Sequence, residues 1–134
     1  MKMLLAILTS LALAGCAGMM SGSTVHLQLS GTQEVPAISV PGSGSGSFTI
    51  GADGAVSGSV TTTGVQGTMA HIHIGARGTN GPVIVPLTKN GDTYSAPAGA
   101  KLNDAQMQAF RTGNLYVNVH TDRNKGGEVR AQLQ

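Results

Sequence analysis

The sequence predicts an all-β domain, a Greek-key β-sandwich of about eight short strands with one short helix. Three observations carry that expectation. Short runs bearing Val, Ile and Leu alternate apolar with polar residues, the period of a half-buried strand. Glycine, at 20 of 134 residues, punctuates those runs at regular spacing. Charged residues make up only 10% of the chain, and a single segment has a helical pattern. With no Trp, two Tyr and two Phe, the core is aliphatic and small.

Taken in order, Val25-His26-Leu27-Gln28-Leu29 alternates cleanly, with His26 and Gln28 outward. Residues 31–46 read as a long loop rich in Gly, Ser and Pro, in which Gln33-Glu34-Val35 is extended before Pro36. The Gly42-Ser43-Gly44-Ser45-Gly46 run reads as a flexible connector. It does not lead from a strand into a helix, as a phosphate cradle would. Ser47–Ile50 and Ala55–Thr63 are strands around the hairpin turn Ala52-Asp53-Gly54. Thr68–Gly75 is the next strand, with Met69, His71 and His73 on one face and Ala70, Ile72 and Ile74 on the core face.

Gly78-Thr79-Asn80-Gly81-Pro82 is a turn cluster, and Val83–Leu87 is a strand whose Pro86 belongs near an edge or a strand end. Asn90-Gly91 is a hairpin signal leading into a short strand, Asp92–Ser95. Asn103–Arg111 is the helix. Asn103 caps it, Asp104 suits the first turn, Arg111 the last, and Gly113 stops it. The strand Leu115–His120 is followed by a polar glycine loop at 122–127. The closing strand, Glu128–Leu133, turns Val129, Ala131 and Leu133 inward.

The first residues read as a targeting segment. Met1-Lys2 supplies a positive start, and the apolar run from Met3 to Ala14 is too short to span a bilayer. It closes with Leu13-Ala14-Gly15-Cys16, which resembles the bacterial lipoprotein cleavage box. That resemblance implies a signal peptide over 1–15 and lipidation of Cys16. A tether over 16–23 and a folded domain over 24–134 then follow. Cys16 is the only cysteine, so lipidation leaves the domain without disulfide, thiolate nucleophile or thiolate ligand. Several acyl chains on Cys16 anchor the protein durably to a membrane. Ala17 after the cysteine, rather than Asp, favours the outer membrane facing the periplasm in the lipoproteins this resembles. The Lys and Arg excess over Asp and Glu is only two, and no basic cluster interleaves with aromatics, which argues against a nucleic-acid partner.

Four blocks stand out in the domain: Leu29-Ser30-Gly31-Thr32-Gln33-Glu34-Val35-Pro36, His71-Ile72-His73-Ile74-Gly75, Leu115-Tyr116-Val117-Asn118-Val119-His120-Thr121 and Gly127-Glu128-Val129-Arg130-Ala131-Gln132-Leu133. In this order they resemble the CHRD domain, named for its repeats in chordin and also found singly in bacterial secreted proteins. The resemblance implies an immunoglobulin-like β-sandwich outside the cytoplasm, and no established catalytic activity.

Three of the four histidines are the candidate chemistry. His71 and His73 share a strand face, and His120 ends a second strand, so pairing of those strand ends gathers three imidazoles at one rim. Neutral imidazoles without a thiolate suit copper, or less well zinc. Met69 adds a soft thioether on the same face, and His26 is a further auxiliary candidate. Glu128 is placed to orient His120 by accepting its second N–H, with Arg130 beside Glu128 on the outward face of the closing strand. The functional expectation is a lipid-anchored envelope binding module for copper storage, delivery or tolerance, not an enzyme. Two rivals stand beside it. One is a metal-free module that binds an envelope protein or polymer. The other is a redox enzyme like the Cu,Zn superoxide dismutases, whose strand-end His-X-His pair His71-Ile72-His73 resembles.

Overall fold

A computed structural model describes residues 22–134. The signal peptide expected over 1–15, lipidated Cys16 and all but the last two residues of the expected tether lie outside the described residues. Ser23, expected as tether, already opens the first strand.

Besides a single 3-10 turn at Gly31–Gln33, where the sequence predicts extended chain at Gln33, nine strands and one α-helix follow one another among the described residues. They are β1 (Ser23–Ser30), β2 (Ser43–Ile50), β3 (Val56–Thr63), β4 (Gly67–Ile74), β5 (Val83–Pro86), β6 (Thr88–Asn90), β7 (Thr93–Ser95), α1 (Asp104–Arg111), β8 (Leu115–Thr121) and β9 (Val129–Gln132). All pairings are antiparallel, in the order β5-β4-β8-β9-β1-β2-β3-β7-β6. The all-β expectation holds, as does the single helix. Asn103 Oδ1 accepts from the Gln106 N–H at 2.8 Å while Gln106 Oε1 accepts from the Asn103 N–H at 2.9 Å, a complete capping box.

The sandwich is one sheet folded on itself. A four-strand half (β5-β4-β8-β9) and a five-strand half (β1-β2-β3-β7-β6) join through the register pair Ser30–Arg130 alone. The opposite edges are both covered by one stretch of chain, residues 83–90, which pairs with β4 first and then with β7. Between them, the Leu87 N–H donates to the Ala70 carbonyl at 3.0 Å. The sheet thereby nearly closes and leaves little free edge. Pro86 ends β5, as a residue without an N–H must at such a crossing. Between the halves lies one core in which Val25, Leu27 and Leu29 join Phe48, Ile72, Val117 and Val119.

The loop expected over 31–46 ends early, because β2 starts at Ser43. The Gly-Ser run is a strand, not a connector. Gly46 lies opposite Leu27 on one side and Val60 on the other. A Cβ there would fall 2.1 Å from the Ser59 carbonyl oxygen, so only glycine lets the backbones approach this closely.

Candidate metal centre

The outer face of β8 and β9 is polar in sequence yet buried in the fold, and on β4 that burial reaches His73 but not Met69. Every residue of β8 is buried, those facing the core and those facing away. The loops at 31–36, 75–82 and 124–127 lie over this face and make hydrogen bonds to it or to one another. The result is a second, polar layer. His73 and His120 are buried within it, and His71 is partly exposed.

Register places them. His73 lies opposite Tyr116, His71 opposite Asn118 and Met69 opposite His120, so His71 and His120 are diagonal neighbours across the β4–β8 ladder. Diagonal neighbours are within reach of long side chains. His71 Nδ1 and His120 Nε2 are 3.0 Å apart, and one nitrogen from each of His71, His73 and His120 lies within 4.8 Å of the others. Two nitrogens bonded to one copper or zinc ion are at most about 4.2 Å apart, so modest ring rotation brings the set onto an ion.

The protons on these rings follow from their partners. A carbonyl only accepts, so His120 Nδ1–H donates to the Lys125 carbonyl at 2.7 Å and His73 Nδ1–H donates to the Gly81 carbonyl at 2.9 Å. Both rings therefore turn a bare Nε2 inward. His120 Nε2 then accepts from His71 Nδ1–H. A cation held there would need the other His71 tautomer, with the proton on Nε2, and no net proton release. His73 Nε2 has no partner at all, although His73 is only 7% exposed. A lone pair buried without a donor is destabilising unless something fills the gap. Backbone carbonyls fixing Nδ1–H so that Nε2 is free is the arrangement that metal-binding histidines require.

Burial and the neighbouring charges favour the neutral form of His71 and of His73. His71 is pushed down to about 4, first by burial and then by the neighbouring His120 and His73. His73 is also lowered, chiefly by burial; its bond to Gly81 and the adjacent Asn118 carboxamide favour its charged form and oppose the shift. Arg130 adds a smaller lowering effect.

Tyr116 and Arg130 brace His73 from behind. The Tyr116 ring stacks on His73 with centroids 4.7 Å apart and planes 4° from parallel, and the Arg130 guanidinium carbon stands 3.5 Å over the same tyrosine ring. Tyr116 also clamps the Gly81 loop, accepting the Gly81 N–H at 3.0 Å. Arg130 donates to the carbonyls of Thr79 (2.8 Å) and Ala76 (3.2 Å). Gly81 has no room for a side chain, since a Cβ would fall 1.7 Å from the Ile74 carbonyl oxygen.

Four expectations about individual residues need correction or qualification. Glu128 does not orient His120. Its Oε1 accepts from Thr121 Oγ1 (3.0 Å) and Asn124 Nδ2 (2.9 Å), shaping the loop whose Lys125 carbonyl does that work. Arg130 is not on a solvent face; it is 1% exposed beneath the 76–80 loop. Met69 is 51% exposed; it lies opposite His120 and lines a cavity of about 210 Å³ with it. His26 is exposed on β1 opposite Ser47 and is not among the gathered histidines.

Glu34 and Asn118 are the residues of this layer that sequence reasoning passed over. Glu34 is 5% exposed, and burial raises its pKa to about 7, although Asn118 and the charge on Arg130 pull the other way. Asn118 was findable, because it alternates onto the face of Tyr116 and His120. Nothing local marks Glu34 as buried.

The family model of the CHRD domain matches residues 25–133. Neither a curated protein nor a solved structure matches the chain. Among the described residues, no helix is long and apolar enough to cross a membrane.

Proposed function

This chain belongs to the CHRD domain family, and from that premise we propose that it is a metal-binding module of the cell envelope, holding copper or zinc on His71, His73 and His120. One observation carries the reading: His73 Nε2 is a buried lone pair without a donor, beside two more imidazole nitrogens. The tautomers of His73 and His120 are set by backbone carbonyls, so binding needs no rearrangement of their protons. Copper is preferred to zinc because imidazole sites follow the general divalent affinity order, in which Cu(II) stands highest.

The wider role proposed is copper storage, delivery or tolerance by a protein tethered through lipidated Cys16, a binding module rather than an enzyme. That part rests on the Leu13-Ala14-Gly15-Cys16 pattern and on the absence, in the sequence, of any nucleophile motif.

Calorimetric titration of the purified protein with Cu(II) and Zn(II), beside a His71→Ala/His73→Ala variant, tests the metal site. Near-stoichiometric binding that the variant loses is the expected result. Heat no greater than that of the variant overturns it.

A further inference from the structure

Among the described residues, four buried side-chain atoms lack a hydrogen-bond partner: Glu34 Oε1, His73 Nε2, Tyr94 Oη and Asn118 Oδ1. Three of these belong to the polar layer of the imidazoles. Asn118 lies opposite His71 in the β4–β8 register, and its Nδ2 donates to the Gly126 carbonyl at 3.2 Å. Its Oδ1 is therefore the free end of the carboxamide. The Glu34 carboxyl lies against Gly127, where a Cβ would stand 2.5 and 2.7 Å from its two oxygens and would also meet the Asn118 amide. Gly127 thus leaves the space in which Glu34 and Asn118 come together.

The bare imidazole nitrogen and the carboxamide oxygen are acceptors, and the carboxyl becomes one when it gives up its proton near neutral pH. With that proton gone, three acceptors buried in one layer call for a positive charge. The layer already contains one cation, Arg130, but its guanidinium is engaged by Ala76, Thr79 and Gln132.

We propose that Glu34 and Asn118 form an inner, oxygen-lined wall of the imidazole site, and that this wall makes the site take a divalent cation, Cu(II) or Zn(II), in preference to Cu(I). This inference rests on the metal-binding reading above. Three neutral imidazoles cancel none of the charge of a divalent ion, and Arg130 adds to the positive charge nearby. Glu34 is the carboxylate that offsets it. Carboxylate and carboxamide oxygens are hard donors and contribute little to a soft monovalent ion. The soft donor on this face, Met69, lies opposite His120 but is 51% exposed, whereas Glu34 and Asn118 are buried.

The test is titration of the full-length protein and its Glu34→Gln variant with Zn(II), and with Ag(I) as a redox-inert stand-in for Cu(I). Glu34→Gln keeps the shape of the side chain and removes its charge. It is expected to weaken Zn(II) binding by about 10- to 100-fold, the usual effect of losing a supporting partner, and to leave Ag(I) binding within about twofold. Asn118→Ser, which withdraws the other oxygen, is expected to show the same selective loss and serves if Glu34→Gln does not fold. Unchanged Zn(II) affinity, or equal losses for both ions, overturns the inference while leaving the three-histidine site standing. Wild-type Zn(II) affinity in His71→Ala/His73→Ala overturns the site itself and this inference with it.

Discussion

His73 and Tyr116 stack face to face, 4.7 Å between centroids and 4° from parallel, with Arg130 closing the stack on the far side of the tyrosine. The sandwich thus holds its candidate ligand with a buried cation rather than with apolar packing. Removing that cation leaves the Thr79 and Ala76 carbonyls without their donor. Arg130→Ala is expected to lower unfolding free energy by about 3 kcal/mol or more, and Arg130→Lys by a comparable amount, because an ammonium reproduces neither the fork nor the stack. Urea unfolding measures both, and a loss below about 1 kcal/mol for either contradicts this account.

Gly81 anchors His73 Nδ1 and Tyr116 Oη together. A methyl group there collides with the Ile74 carbonyl. Gly81→Ala is expected to cost about 1–3 kcal/mol and to weaken metal binding. Gly126→Ala, whose Cβ would have nothing within 4 Å, should stay within about 0.5 kcal/mol of wild type. Equal melting behaviour of the two variants would remove Gly81 from this role.

The loop at 121–128 depends on Glu128, not on direct contact between Glu128 and His120. Glu128→Ala releases Thr121 and Asn124 and frees the Lys125 carbonyl that fixes the His120 tautomer. We expect Cu(II) affinity to fall by about tenfold, the lower end of the range for such partners. If affinity is unchanged in calorimetric titration, the carbonyl needs no such support.

Stability should rise with pH over the acidic range. His71, pushed down to about 4, and His73, lowered as well, stay neutral in the folded protein. Unfolded, both take up a proton below about 6.5. The unfolded chain therefore binds more protons from roughly pH 4 to 6.5, and unfolding becomes harder as pH rises. Glu34, raised to about 7, works the other way: the folded state keeps a proton that the unfolded chain has lost above about 4.5. Two histidines against one carboxyl leave a net rise, at most about 1.4 kcal/mol per pH unit and less because solvent screens the partly exposed His71. Above about pH 6.5 only the Glu34 contribution remains, and stability should dip slightly towards pH 8. Glu34→Gln should steepen the acidic rise and abolish the dip. Urea midpoints of the metal-free protein at pH 4.5, 5.5, 6.5 and 8 decide this, and a profile falling from 4.5 to 6.5 refutes it.

The helix offers a prediction independent of the metal. Asn103→Ala removes the side-chain half of the capping box, the Oδ1 that accepts the Gln106 N–H, and leaves the backbone half in place; it is expected to cost about 1 kcal/mol with metal affinity untouched. A matching loss of affinity would show that α1 and the site are coupled.

Much of the molecule was legible along the chain because the signals are local. Period-two alternation placed Ala70 and Ile72 in the core and turned His71 and His73 away from it, and the fold agrees. Asn90-Gly91 marked the β6–β7 hairpin, and Asn103 the helix start. The strand in residues 43–46 was not legible, since glycine and serine carry no apolar period. Its cause is the close approach of neighbouring strands, a tertiary fact.

The sequence by itself therefore determined which residues leave the core face, and with them the three imidazoles. Only the tertiary structure decided that this second face is also buried. Alternation fixes the side of a sheet on which a side chain stands, but not whether water or a loop covers it. Here loops distant in sequence roof the face and bury Glu34 and Arg130, while the turn that follows β8 offers His120 the Lys125 carbonyl rather than Glu128. Burial and partner choice depend on what folds over a residue, and that is set by contacts between segments far apart in the chain.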